Sequence, residues 1–167
     1  MTMMMRSSSL VGTFLVIVVA LCAAQQVLAM KRRDEIALGK LEKEYKVMID
    51  PEIVGILAKL RVCTSEPNFK IEQCIAKALI ETQSRPQKIS LSYVSYYWQK
   101  IEWTCTKVLY AYGRNRALID GRDKVSSFPD TIKGFIEDLR VCEHIEGKTT
   151  LGAKAYKIVA ELQKKND

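Results

Sequence analysis

Apolar residues recur along this chain at spacings of three and four, and no segment alternates convincingly between apolar and polar positions. That period predicts helices and no sheet. Leu38, Leu41, Tyr45 and Met48 mark a first helix from about Asp34. Asp50-Pro51 supplies a cap and a first-turn proline for a second, which runs to about Cys63 with Ile53, Ile56, Leu60 and Cys63 on one face. Ser65 and Pro67 open a third, carrying Ile71, Cys74, Ile75 and Ala78, and Ser84-Arg85-Pro86 breaks the chain after it. A long fourth helix is expected from about Ser90 to Tyr112, stopped by Gly113. The polar stretch 114–127 reads as irregular, with one helical turn at Ala117–Ile119. Ser127 and Pro129 start a fifth helix with Ile132, Phe135, Leu139 and Cys142 on one stripe, and Gly147 ends or interrupts it. A sixth begins near Thr149 or Thr150, carries Leu151, Ala155, Ile158 and Leu162, and finishes on Lys164-Lys165, cations that suit a helix C-terminus. The expected fold is all-α, a bundle of five to six helices.

Ahead of the first helix the pattern changes. Leu10–Cys22 is almost unbroken apolar sequence, Arg6 is the single charge before it, and Val27-Leu28-Ala29 places small residues where a signal peptidase reads. The run is short for a membrane span, so residues 1–29 read as a secretory signal, with cleavage after Ala24 as the alternative. An uncleaved anchor is the competing reading. Residues 30–167 then make one helical domain of a size that suits a single core, exported, soluble and monomeric, without stable membrane insertion. Losing Arg6 changes the formal net charge from +7 to +6. This basic excess is compatible with an anionic microbial surface, and it equally serves solubility because the charges are interspersed.

Residues 55–63, GILAKLRVC, and 134–142, GFIEDLRVC, nearly repeat each other and both end on cysteine. Cys22 leaves with the signal; Cys63, Cys74, Cys105 and Cys142 remain. An even count in an exported chain implies two disulfides. The preferred pairing is nested, Cys63–Cys142 with Cys74–Cys105, which would clamp the two related helices together; Cys63–Cys74 with Cys105–Cys142 stays open. With no C-x-x-C pair and one histidine, His144, no zinc set is expected.

The fourth helix carries two apolar faces. Val94, Trp98, Ile101, Cys105, Val108 and Tyr112 form a core seam, while Tyr96, Trp103 and Tyr110 recur every seven residues on the opposite side. Either the helix is central and buried on both sides, or the second face is an exposed strip that binds something. Arg114, Arg116, Arg122 and Lys124 follow, cations beside Tyr110 and Tyr112 that could meet phosphate or lipid headgroups or simply be solvated. Lys31-Arg32-Arg33 would begin the mature chain, as a frayed basic tip or a processing mark. Catalytic constellations are missing: His144 beside a bridged Cys142 is no Cys–His pair, and there is no Gly-rich phosphate loop, G-x-S-x-G or H-E-x-x-H. The expectation is a non-enzyme without cofactor or metal, and not a nucleic-acid binder.

Cys63-Thr64 precedes Cys74-Ile75, Ala111-Tyr112 follows Cys105, and Phe128 with Ile132-Lys133 precedes Cys142. On these anchors, over about residues 63–142, the chain resembles the microplusin-type antimicrobial proteins of ticks, which are secreted, helical and cysteine-rich. The family looks like a six-cysteine framework, and two of those cysteines are absent here, near Tyr110 and Asn115. Its histidine-rich ends, implicated in sequestering copper and iron, are absent too, so that mechanism does not carry over. The resemblance implies an arthropod secreted defence or salivary effector that acts by binding, with antimicrobial action as its specific form. The alternatives are a carrier of a small hydrophobic ligand, similar in architecture to odorant-binding proteins, and a protein-binding effector using the Tyr96/Trp103/Tyr110 strip.

Overall fold

The apolar stripes become six α-helices with two short 3-10 turns in a computed structural model, which describes residues 7–83, 88–122 and 125–166. The elements are α1 (Ser7–Met48), a 3-10 turn (Pro51–Ile53), α2 (Val54–Thr64), α3 (Ile71–Thr82), α4 (Leu91–Asp120), a second turn (Val125–Ser127), α5 (Asp130–Ile145) and α6 (Leu151–Lys164). No strand occurs among the described residues. The expected break at Ser84–Pro86 and the cation Lys124 lie outside them.

Two units divide the chain, residues 1–40 and 41–167. In the first, α1 does not begin near Asp34 but runs back to Ser7, and no proline between Leu10 and Asp34 stops it. Every residue from 9 to 36 is exposed. Ser9–Met48 is long and apolar enough to cross a membrane, a test that a signal sequence near the N-terminus also passes.

In the second unit five helices close a ring: α2 packs on α3, α3 on α6, α6 on α4, α4 on α5, and α5 on α2. Ile53 from the first 3-10 turn, Ile56 and Leu60 from α2, Ile75 and Leu79 from α3, Ile101 and Val108 from α4, and Ile132 and Phe135 from α5 are all fully buried in it. Leu41 and Tyr45 from the end of α1 join them, with the Tyr45 ring edge-on to Phe135 at 5.5 Å. In α6 the buried stripe is Leu151, Ala155 and Val159; Ile158 is half-buried and Leu162 exposed.

Both disulfides differ from the preferred nested pairing: Cys63 bonds Cys74 and Cys105 bonds Cys142. The reason is local. A turn over residues 65–70, with Asn68 in the left-handed region at φ 63°, folds α3 back along α2 and brings the Cα atoms of Cys63 and Cys74 to 5.7 Å. Cys142 faces α4, not α2, and meets Cys105 with a Cα separation of 5.0 Å. The repeated helices α2 and α5 do pack together, but a polar cluster joins them rather than sulfur: Arg61 donates through Nε to Asp138 at 2.5 Å and through Nη1 to Glu137 at 3.2 Å.

Two helix ends also moved. Ser65 does not open α3; it closes α2, its hydroxyl donating to the Val62 carbonyl at 2.7 Å while Thr64 donates to Leu60 at 2.8 Å. The Val62 carbonyl also accepts the Ser65 backbone N–H at 3.3 Å, so the Ser65 hydroxyl adds a second bond at the helix end. Gly113 does not stop α4, which continues through a kink at Asn115 to Asp120. There the Asn115 side-chain amide donates to the Ala111 carbonyl at 2.8 Å, and the Tyr112 hydroxyl donates to Asp120 across the added turns.

Close approach of α4 and α6 depends on Gly152. A Cβ there would stand 2.7 Å from Cδ1 of the buried Trp98 ring, which is no flexible side-chain tip. Gly152→Ala should therefore destabilise the domain by about 1–3 kcal/mol through overpacking, read by chemical denaturation together with a change in Trp98 emission.

Candidate functional site

Helix α4 is anchored at its start by Ser90, whose hydroxyl accepts the Tyr93 backbone N–H at 3.2 Å. Its inner seam is as the spacing predicts for Val94, Trp98, Ile101, Cys105 and Val108, all buried. Ala111 rather than Tyr112 closes it; the Tyr112 ring is half-buried.

The outer face is exposed, so α4 is not buried on both sides. Tyr96 is 48 %, Trp103 68 % and Tyr110 68 % accessible. A cation follows each ring by four residues, the spacing that stacks side chains on a helix surface. Lys100 Nζ lies 4.8 Å from the Tyr96 centroid, Lys107 Nζ 4.7 Å from Trp103, and the Arg114 guanidinium carbon 4.9 Å from Tyr110. Rings and cations thus alternate along the helix, each pair at cation–π distance.

Carboxylates hold two of the three cations. Lys100 donates to Asp50 at 2.7 Å and to Glu52 at 2.9 Å, and the Tyr96 hydroxyl donates to Glu52 at 2.9 Å. Asp50 also accepts the Glu52 backbone N–H, so the cap of the first 3-10 turn serves both purposes. Hydrogen bonds from Lys100 hold both carboxyls below their ordinary values, helped at Asp50 by the Glu52 N–H and at Glu52 by Tyr96. The Lys100 ammonium is held above its ordinary value, first by Asp50. Arg114 pairs with Glu44 of α1. Lys107 has no carboxylate at ion-pair distance among the described residues.

Tyr110 stands between two open clefts. One, of about 410 Å³, is lined by Glu44, Val47, Met48, Lys107, Tyr110 and Arg114. The other, of about 420 Å³, runs past Cys105, Leu109 and Tyr110 to Gly147 and Thr149. Of the remaining candidate cations, Arg116 sits on α4, not in a loop, and pairs with Asp120 at 3.3 Å. Arg122 stacks over Phe128 at 4.8 Å. His144 packs edge-on against Phe69 at 4.7 Å. No group of three potential metal ligands exists among the described residues.

Lys100, Lys107 and Val47 belong to this face although the sequence reading passed over them. The two lysines carried a usable signal, since each follows an outer-face aromatic by four residues. Val47 carried a weaker one: an apolar residue out of phase with Leu41, Tyr45 and Met48, and 86 % exposed.

Comparison with protein-family models, curated proteins and solved structures gives no match.

Proposed function

We propose that the chain is a secreted, non-enzymatic effector of the defence or salivary kind, acting by binding through the outer face of α4. One observation carries this reading: Tyr96, Trp103 and Tyr110 face water in register with Lys100, Lys107 and Arg114. Large rings gain nothing from solvent exposure, whereas an apolar ring beside a cation suits a boundary between water and a less polar phase. An anionic microbial surface is the first target. The rings would enter its headgroup zone while the cations meet phosphate or carboxylate groups, giving the antimicrobial form of the reading.

A protein partner is the second reading, and Asp50, Glu52 and Glu44 favour it. They already neutralise Lys100 and Arg114, leaving an amphiphilic strip of Trp, Tyr and Arg, the residue types that dominate protein interfaces. The clefts beside Tyr110 are open, which suits a surface contact better than an enclosed site for a small hydrophobic ligand.

Sedimentation of the secreted product with vesicles separates these targets. For a surface-active protein, anionic vesicles should carry it down at low salt and neutral vesicles should not. The triple change Tyr96→Ser, Trp103→Ser, Tyr110→Ser should weaken binding about a hundredfold if each ring contributes on the order of 1 kcal/mol. Glu44→Gln should strengthen it by freeing the Arg114 cation. Equal binding by wild type and the triple variant would remove α4 as the binding face. Absence of vesicle binding would leave the protein partner.

A further inference from the structure

We propose a second processing site at the Arg33–Asp34 peptide bond, hydrolysed after the signal segment has left by a secretory-pathway endoprotease that cuts after paired basic residues. The inference rests on the secretory reading.

Lys31-Arg32-Arg33 is the one run of three consecutive cations in the sequence. It is exposed, as is every residue from 9 to 36, and burial begins just beyond it, with Leu38 at 5 % and Leu41 at 1 % accessible. A cut after Arg33 therefore removes no core residue and stops about one helical turn short of the first one.

Helix electrostatics then distinguish the two sides of the bond. Once residues through Ala29 are gone, α1 would begin with a charged α-amino group at Met30 followed by three cations. The first turn of a helix is where the dipole is positive and backbone N–H groups lack partners, so four positive charges there work against the helix. Residues 30–33 should fray into extended chain, the form a protease binds. Beyond the bond stand Asp34 and Glu35. Aspartate is a favoured N-cap, and an acid in the first turn complements the dipole. Hydrolysis thus exchanges a poor helix start for a good one, and the new end resists further fraying.

Downstream of Arg33 the sequence holds one other adjacent pair of cations, Lys164-Lys165. That pair closes α6, where cations complement the dipole, so the same reasoning protects it. In the cleavage itself, water's oxygen bonds to the Arg33 carbonyl carbon and the bond to the Asp34 nitrogen breaks. Arg33 leaves with the new carboxylate, and the Asp34 nitrogen takes both of water's protons as a new, charged α-amino group.

The cut changes what the mature protein can do. Removing Lys31, Arg32 and Arg33 lowers the formal net charge from +6 to +3. Attraction to an anionic target then depends on the α4 face and not on a basic tail.

The test is to express the full chain in a eukaryotic secretory host and determine the intact mass and N-terminal sequence of the product in the medium. The expected product begins at Asp34 and keeps its C-terminal Lys164-Lys165. The double variant Arg32→Gln, Arg33→Gln should begin at Met30 or Gln25 with an unchanged circular dichroism spectrum, both side chains being exposed. Wild-type product that begins at Met30 or Gln25 overturns the processing site and leaves secretion intact. A variant that still begins at Asp34 overturns recognition of the basic pair. A chain retained in the cell membrane with residues 1–33 attached overturns both the site and the secretory reading beneath it.

Discussion

Arg61→Ala should destabilise the domain by about 3–5 kcal/mol, because it strands a buried charge. Asp138 is 1 % accessible, deep between α2 and α5. Arg61 donates to one of its oxygens through Nε at 2.5 Å, and the Tyr45 hydroxyl donates to the other. Arg61 also donates through Nη2 to the Tyr45 oxygen at 2.9 Å, which closes a triangle of α1, α2 and α5 side chains. With the guanidinium gone, the carboxylate keeps only the phenol. The lower part of the range applies, since the Arg61 side chain is 29 % exposed and water can enter its place. Replacing both partners, as Arg61→Met with Asp138→Leu, should cost clearly less, because no charge is then left unpaired. Urea denaturation of both variants checks this.

The same cluster predicts alkaline weakness. Burial, and then the hydrogen bond to Asp138 and its charge, push the Tyr45 phenol well above its ordinary value of 10.0. A folded-state value above the unfolded one stabilises fully below pH 10 and loses that contribution as pH rises towards the folded value. Denaturation midpoints should therefore fall above about pH 10, and less so in Tyr45→Phe once its lower starting stability is subtracted.

Opening the Cys105–Cys142 bridge is the other large effect. It closes 37 residues of sequence, against 11 for Cys63–Cys74. Chain-entropy reasoning assigns about 4 kcal/mol to the longer loop and about 3 to the shorter. Packing widens the gap, since Cys105 and Cys142 are buried whereas Cys63 is half-buried. The paired change Cys105→Ser, Cys142→Ser should accordingly lower stability more than Cys63→Ser with Cys74→Ser. Calorimetry ranks the two. Peptide mapping without reductant should recover Cys63 linked to Cys74, and a Cys63–Cys142 peptide would contradict this structure.

That pairing shows where sequence reasoning runs out. Ile53, Ile56 and Leu60, or Ile132, Phe135 and Leu139, announce their helices through spacing, because each stripe needs only its own helix to be read. A sulfur's partner depends on which helices adjoin, and the LRVC repeat pointed to α2 and α5. Those helices do adjoin, but Arg61 and Asp138 occupy their contact, and neither position matches the other in the repeat. Helix ends failed for a related reason. Ser65 has the character of an N-cap, yet its hydroxyl serves the helix it ends; Gly113 permits a stop but does not impose one when Tyr112 and Arg116 can bind Asp120 beyond it. The outer face of α4 was legible as a pattern of Tyr96, Trp103 and Tyr110. Its exposure was not, since a heptad of aromatics looks the same whether a neighbour covers it or water does.

The claim that α4 meets a target through this face is tested most directly by the emission of Trp103. Trp98→Phe leaves Trp103 as the sole tryptophan. Its emission should be typical of exposed indole in buffer and shift to the blue, with protection from a soluble quencher, when anionic vesicles are added at low salt; high salt should reverse both changes. Trp103 emission that stays red and freely quenchable, while sedimentation shows the protein on the vesicles, would contradict the account, because the protein would then be binding through some other surface.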